Sequence, residues 1–311
     1  MAGKIFVGIT DGDWYDFLRE RRATEVNFWK PSGRPFKVLD EGDLFLFKLK
    51  AARGGRIAGG GFFVSATTLP LDWAWKTFET ENGVATYREL SESIHKYRAK
   101  ASPAGENPTI GCIVLTDVFF IDERDWFEAP GNWRGTVTGK SYAPGTEEYA
   151  MVMDALGSRM RHGGVLLGDK PVDAEWDGAR YGTSVTRHRL GQGAFRVKVA
   201  DAYERRCAIS GERTLPVLQA AHIRPYAQEG PHEVSNGLLL RADIHTLFDE
   251  GYLTVTPDYR VRVSRRLNAD YGNGRIYYAF QDRRLAVLPS ERPELPSRDY
   301  LEWHNDCVFM G

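Results

Sequence analysis

Residues 236–251 read NGLLLRADIHTLFDEG. The apolar run NGLLL fits a short strand. It runs into a helix, with His245 at the start. His245 and Asp249 stand four apart on that helix, so they share a face and can reach one ion. Upstream, LQAAHI (218–223) reads as a strand that ends at His222, and Asn236 precedes His245 by nine residues. Each piece alone has a bland reading. A lone His among Ala and Ile is usually core or surface, HxxxD on a helix is usually a solvated face, and Asn-Gly is a turn signal. Their order and spacing together outweigh those readings.

The surroundings extend the pattern. FRVKVADAYERR (195–206) reads as an amphipathic helix, and RCAISGERTLPVLQAAHIRP (206–225) as a hairpin with a glycine turn. YLTVTPDYRVRVS (252–264) reads as a second hairpin and RDYLEWHNDCVF (298–309) as a closing helix. A strand His, a loop Asn and a helical His in this order resemble the ββα-metal unit of HNH nucleases. Residues 187–311 look like the C-terminal nuclease unit of bacterial restriction endonucleases.

That resemblance implies roles. His222 would be the general base that takes a proton from the attacking water. Asn236 would steady the base, and His245 would be both part of the catalytic set and a metal ligand. Asp249 would be a second ligand to a divalent metal, Mg²⁺ or Mn²⁺, which polarises the phosphate and the leaving oxygen. Many HNH proteins carry Asp or His just before the base, whereas this chain has Ala221. Others staple the hairpin with zinc on two CxxC pairs. Here those places read Cys207-Ala208-Ile209-Ser210 and RADI (241–244), so no structural zinc is expected.

The net charge is only -1 across 311 residues, so nucleic-acid contact must come from local patches. Between Arg187 and Pro225 there are eight Lys/Arg and three acids. Arg205, Arg206 and Arg224 are the candidate contacts to the DNA backbone. His232 in GPHEVSNG could touch phosphate or hold its loop. His188 has no assigned role, and His304 reads as packing.

The N-terminal half has a different texture. KIFVGIT (4–10), RIAGGGFFVSATTL (56–69) and TIGCIVLTDVFFI (109–121) read as strands, and EVNFWKPSG (25–33) followed by DEGDLFLFKLK (40–50) reads as a turn feeding an alternating strand. DGDWYDFLRERR (11–22), LDWAWKTF (71–78), YRELSESIHKYRA (87–99) and EEYAMVMDALGSRM (147–160) read as helices. Gly59, Gly60 and Gly61 allow a bulge or a close backbone approach. The expected class is α+β: a curved β-barrel domain over 1–165, a linker at 166–186 and the nuclease domain over 187–311.

The first region resembles, more loosely, the PUA superfamily with its EVE, SRA and ASCH-type members. That resemblance implies a pocket for a flipped, modified base, whose extrusion costs a few kcal/mol that stacking must recover. The candidate pocket residues are Trp14, Phe28 and Trp29 for stacking and Asn27 for the base edge. Most tryptophans of a small barrel are core, and at least half of Trp14, Trp29, Trp73, Trp75, Trp126 and Trp133 are expected to be so.

The combined expectation is a restriction endonuclease that reads double-stranded DNA with a modified base, a cytosine derivative, and cuts it as a homodimer. Rival readings are an HNH nuclease or nickase without modification dependence, and a catalytically dead DNA or RNA reader. Cys112, Cys207 and Cys307 lie far apart, which fits the reducing cytoplasm. No leader or membrane segment is expected.

Overall fold

The computed structural model describes residues 3–98, 105–161, 165–167, 170–171, 191–228 and 230–311. It divides into two units, Met1–Ala194 and Phe195–Gly311. Most of the expected linker lies outside the described residues, as do Arg187 and Arg189 of the basic strip and His188. Among the described residues, no helix is long and apolar enough to cross a membrane.

In the first unit the order is β1 (Ile5–Thr10), α1 (Gly12–Glu20), β2 (Glu25–Lys30), β3 (Leu44–Leu49), β4 (Ile57–Pro70), α2 (Leu71–Phe78), α3 (Tyr87–Arg98), β5 (Thr109–Ile121), β6 (Gly139–Tyr142), α4 (Glu147–Arg161), β7 (Val165–Leu167) and β8 (Lys170–Pro171). The strands form one eight-stranded sheet, ordered β6-β1-β3-β4-β5-β7-β8, with β2 pairing β5. β1 and β3 run parallel, whereas β3, β4 and β5 are antiparallel neighbours.

The glycines of β4 make that approach possible. A Cβ at Gly59 would lie 2.4 Å from the Phe119 carbonyl oxygen, and one at Gly60 would lie 2.6 Å from that of Phe45. The register also shifts between Gly60 and Phe62, so the bulge and the close approach both occur.

The sheet does not close into a barrel among the described residues. Its end strands, β6 and β8, share no ladder, and β2 adds to β5 off that path. Phe45, Phe47, Phe119 and Tyr15 fill the core, and the Tyr15 hydroxyl donates to the Ala58 carbonyl at 2.8 Å. α1 starts at Asp11, whose carboxylate caps the Asp13 N–H at 3.1 Å. The Glu25 carboxylate is buried and accepts the N–H groups of Gly193 and Ala194 at 2.8 and 3.0 Å.

Next come α5 (Gln192–Ala202), β9 (Leu218–His222), β10 (Gly237–Arg241), α6 (Ala242–Asp249), β11 (Leu253–Val255), β12 (Val261–Val263), α7 (Arg266–Tyr271), α8 (Arg275–Tyr278) and α9 (Arg298–Cys307). The second expected hairpin forms, as β11 against β12. The first does not form within 206–225. The chain turns tightly at Cys207–Gly211, where the Gly211 N–H donates to the Cys207 carbonyl at 2.9 Å, and β9 instead pairs antiparallel with β10. α5 buries Ala194, Phe195, Val197, Val199 and Ala200, more than the single stripe of an amphipathic helix.

Candidate active site

β9, β10 and α6 form a compact ββα unit that carries the sequence-predicted residues. His222 ends β9 opposite Gly237, which opens β10. Gly237 has a packing role. A Cβ there would lie 2.5 Å from Val199 and 3.1 Å from the Phe195 ring, so a side chain would push α5 away. Phe195 uses that space to stack on His222, with centroids 3.9 Å apart and planes 10° from parallel.

Asn236 is fully buried, and its amide closes the loop between the two strands. Its Oδ1 accepts the Arg224 N–H at 2.9 Å. Its Nδ2 donates to the carbonyls of Arg224 and Pro231, both at 2.9 Å. One side chain therefore ties both ends of the loop that carries His232. Asn-Gly is here a clamp and a close contact, not a two-residue turn.

His245 faces Asp249 on α6, with Nε2 3.2 Å from Oδ2. Its other nitrogen, Nδ1, lies 2.7 Å from Gln219 Oε1 on β9. Burial lowers the His245 imidazole, opposed by the Asp249 charge. Burial likewise raises the Asp249 carboxyl, opposed by His245. These two side chains are the donors that could hold a cation. Among the described residues, no group of three His, Cys, Asp or Glu gathers for one.

His222 is pushed down to about 4, first by burial and then by the charges of His232, His245 and Arg196, so it is neutral at neutral pH. His304 packs under α6. It is 2 % exposed, stacks on Phe248 at 3.7 Å and bonds Thr254 Oγ1 and the Phe248 carbonyl. The Cys207 sulfur accepts the N–H groups of Ser210 and Arg241, one from each of the CAIS and RADI segments.

The three arginines differ. Arg224 donates through Nε to the Gln228 carbonyl at 2.6 Å and lies 5.6 Å over the Trp303 ring. Arg205 pairs with Asp201 at 3.3 Å, and Arg206 lies 3.9 Å from Glu204. Two residues missed by the sequence reading, Gln219 and Phe195, are drawn in by the β9–β10 register and by α5. The only sequence signal for Gln219 is its strand position three residues before His222.

In the first unit, Asp11, Asp13, Trp14, Trp29, Lys96 and Tyr97 help line a recess of about 420 Å³, counting the space open to solvent. Trp29 donates its indole N–H to the Asn82 carbonyl at 2.9 Å, and its ring lies 6.2 Å from Tyr97. Tyr97 and Lys50 both donate to Asp11 Oδ2. Trp14 is buried, and its indole N–H has no acceptor among the described residues. Asn27 is sealed inside, with its Nδ2 donating to Asn82 Oδ1 at 2.9 Å. Phe28 packs edge-on against Trp14 at 5.4 Å. Trp14 and Trp29 thus meet at the recess, while Asn27 and Phe28 do not line it. Trp14, Trp73 and Trp126 are buried, whereas Trp29, Trp75 and Trp133 are only partly so.

Residues 207–256 match the model of the HNH endonuclease family. No curated protein matches the chain. Among solved structures, the chain is similar to one described as "Modification dependent TagI restriction endonuclease", at 15% identity and a TM-score of 0.28, over 92% of this chain and 76% of that one. That likeness is too distant to carry a substrate across. The ββα geometry and the family match agree on the same residues, and the chain therefore carries an HNH endonuclease domain and is a nuclease hydrolase.

Proposed function

We propose that this chain is a modification-dependent restriction endonuclease. The first unit reads a modified base, a cytosine derivative, in double-stranded DNA, and the second hydrolyses the backbone. The observation that carries the cutting half is the gathering of His222, Asn236, His245 and Asp249 on one ββα unit. His222 is the neutral base for the attacking water, and Asn236 holds the loop beside it. The donor set of His245 and Asp249 fits a divalent cation, Mg²⁺ or Mn²⁺, that completes its shell with water and phosphate oxygen. Such an ion supplies Lewis-acid stabilisation of the phosphate charge. Arg205, Arg206 and Arg224 give the backbone its positive neighbours. Two copies of the chain would place one site on each strand.

The reading half is supported by the recess. Trp29 and Tyr97 offer aromatic faces for a flipped base, and the carboxylates of Asp11 and Asp13 favour a base with an exocyclic amine. A base entering there brings the acceptor that the Trp14 N–H lacks. The PUA-like reading of the unit rests on the sequence resemblance of its first strands.

The test is a cleavage assay in Mg²⁺ and in Mn²⁺. Matched duplexes would carry cytosine, 5-methylcytosine, 5-hydroxymethylcytosine or its glucosylated form. Selective cutting of a modified duplex is the expected result. Equal cutting of all four removes the reader, and binding of modified DNA without cutting in either metal removes the enzyme reading.

A further inference from the structure

His232 lies outside the His222, Asn236 and His245 pattern, yet it touches the base. Its Nδ1 is 2.9 Å from His222 Nε2. The ring centroids are 4.9 Å apart and the planes 67° from parallel, so the contact is edge to edge through the nitrogens and not a stack. Phe195 packs on both rings, at 3.9 Å from His222 and 5.7 Å from His232. The residue just before His232, Pro231, has its carbonyl held by Asn236 at 2.9 Å. The pair is thus fixed from both sides.

Two ring nitrogens at that distance share one proton. If His232 donated, neutral His222 would carry its own proton on Nδ1 and would have no lone pair for a water. If His222 donates from Nε2, its Nδ1 lone pair stays free, and Nδ1 has no hydrogen-bond partner among the described residues.

We infer that His232 is a positioning residue that accepts the Nε2–H of His222 and so holds His222 in the tautomer whose Nδ1 takes the water proton. The inference rests on the reading of His222 as the general base. In that step the water O–H bond breaks and the proton goes to His222 Nδ1. The oxygen forms a new bond to phosphorus, and the bond to the 3′ oxygen breaks with its electron pair, that oxygen being protonated by solvent. The imidazolium formed on His222 donates to a neutral acceptor, as a triad histidine donates to its carboxylate, but without a buried negative charge. Asn236 then acts on the base through His232 as well as through the loop.

The experiment uses the full chain, with His232→Leu removing the acceptor and His232→Asn restoring an oxygen near the Nδ1 position. Long-range proton–nitrogen correlation spectra of the metal-free protein report the His222 tautomer without any substrate. The expected result is Nε2–H in the wild type, a mixture in His232→Leu, and recovery in His232→Asn. On a duplex the wild type cuts, kcat should fall about 10- to 100-fold for His232→Leu with KM little changed, and recover in part for His232→Asn. An Nδ1–H tautomer in the wild type, or the same tautomer and kcat in His232→Leu, overturns the inference. His222→Ala separates the two failures. If that variant cuts at the wild-type rate, the base reading falls. If it is inactive while His232→Leu matches wild type in tautomer and rate, only the role of His232 falls.

Discussion

Gln219 Oε1 lies 2.7 Å from His245 Nδ1, joining the middle of a strand to the helix that carries the candidate metal pair. A carbonyl oxygen only accepts, so the proton sits on Nδ1 and the Nε2 lone pair faces Asp249 Oδ2 at 3.2 Å. A histidine set up to ligate needs its other nitrogen held in this way. Gln219→Leu should weaken Mn²⁺ binding to the DNA-free protein by about 10- to 100-fold, read by calorimetric titration. Gln219→Glu keeps the acceptor and should hold affinity near wild type. Equal affinity for the Leu variant would show that the helix alone orients His245.

Asn236 offers the sharpest stability test. Its buried amide makes three hydrogen bonds to two backbone segments. Asn236→Ala leaves those partners without the amide and should cost about 3 kcal/mol or more. Urea unfolding followed by a probe in the second unit measures it. A loss under about 1 kcal/mol would mean that water replaces the clamp.

The pH dependence of cleavage follows from His222. Burial and neighbouring positive charge push its imidazole down to about 4, below the ordinary 6.5. The folded protein therefore holds fewer protons on it than the unfolded chain between those values. Stability from this group is present above 6.5 and is lost as pH falls toward 4. With His222 as the proposed base, the imidazole stays unprotonated through pH 6, so the acid limb of kcat/KM should lie clearly below 6.5. A limb at or above 6.5 would contradict that environment.

The helical His–Asp pair was legible in the sequence because i,i+4 geometry is local. His222 and Asn236 were legible only as a pattern, since neither is unusual alone. Gln219 and His232 were not legible in these roles. One depends on which strand β9 pairs, and the other on a loop folding back, and both are long-range choices. Asn27 shows the same limit. Strand alternation puts it on the face of Trp29, yet it is sealed against Asn82, because the turn Glu79–Asn82 that follows α2 packs on β2. The pairing of β2 with β5 and the lack of a ladder between β6 and β8 are likewise long-range choices that strand propensity does not encode.

Glu25 makes the first unit pH-sensitive in the opposite sense to His222. Burial pushes its carboxyl up to about 7 from the ordinary 4.5, against the stabilising N–H groups of Ala194 and Gly193, with Glu81 adding to the rise. The folded state then binds more protons than the unfolded state across that window, so stability from this group falls as pH rises from 4.5 to about 7. Glu25→Gln cannot ionise. The difference in thermal midpoint, variant minus wild type, should grow more positive between pH 5 and pH 8. A difference that stays flat with pH would show that the two backbone donors keep Glu25 ionised throughout.

Trp29 decides the reader. Its indole nitrogen is tied to the Asn82 carbonyl, which holds the ring at the recess beside Tyr97. Removing the ring takes away a stacking face worth about 1–3 kcal/mol per base, or about 5- to 150-fold in affinity. Trp29→Ala should therefore lose the preference for modified over unmodified duplex, measured by competition binding without metal. The Trp29→Phe variant should keep part of that preference. Mn²⁺ affinity should be the same in wild type and Trp29→Ala, because the candidate metal pair, His245 and Asp249, belongs to the second unit. An unchanged preference in Trp29→Ala would move the base to another wall of the protein. A lost preference together with lost Mn²⁺ binding would point to general unfolding, which the thermal midpoint of the same variant would reveal.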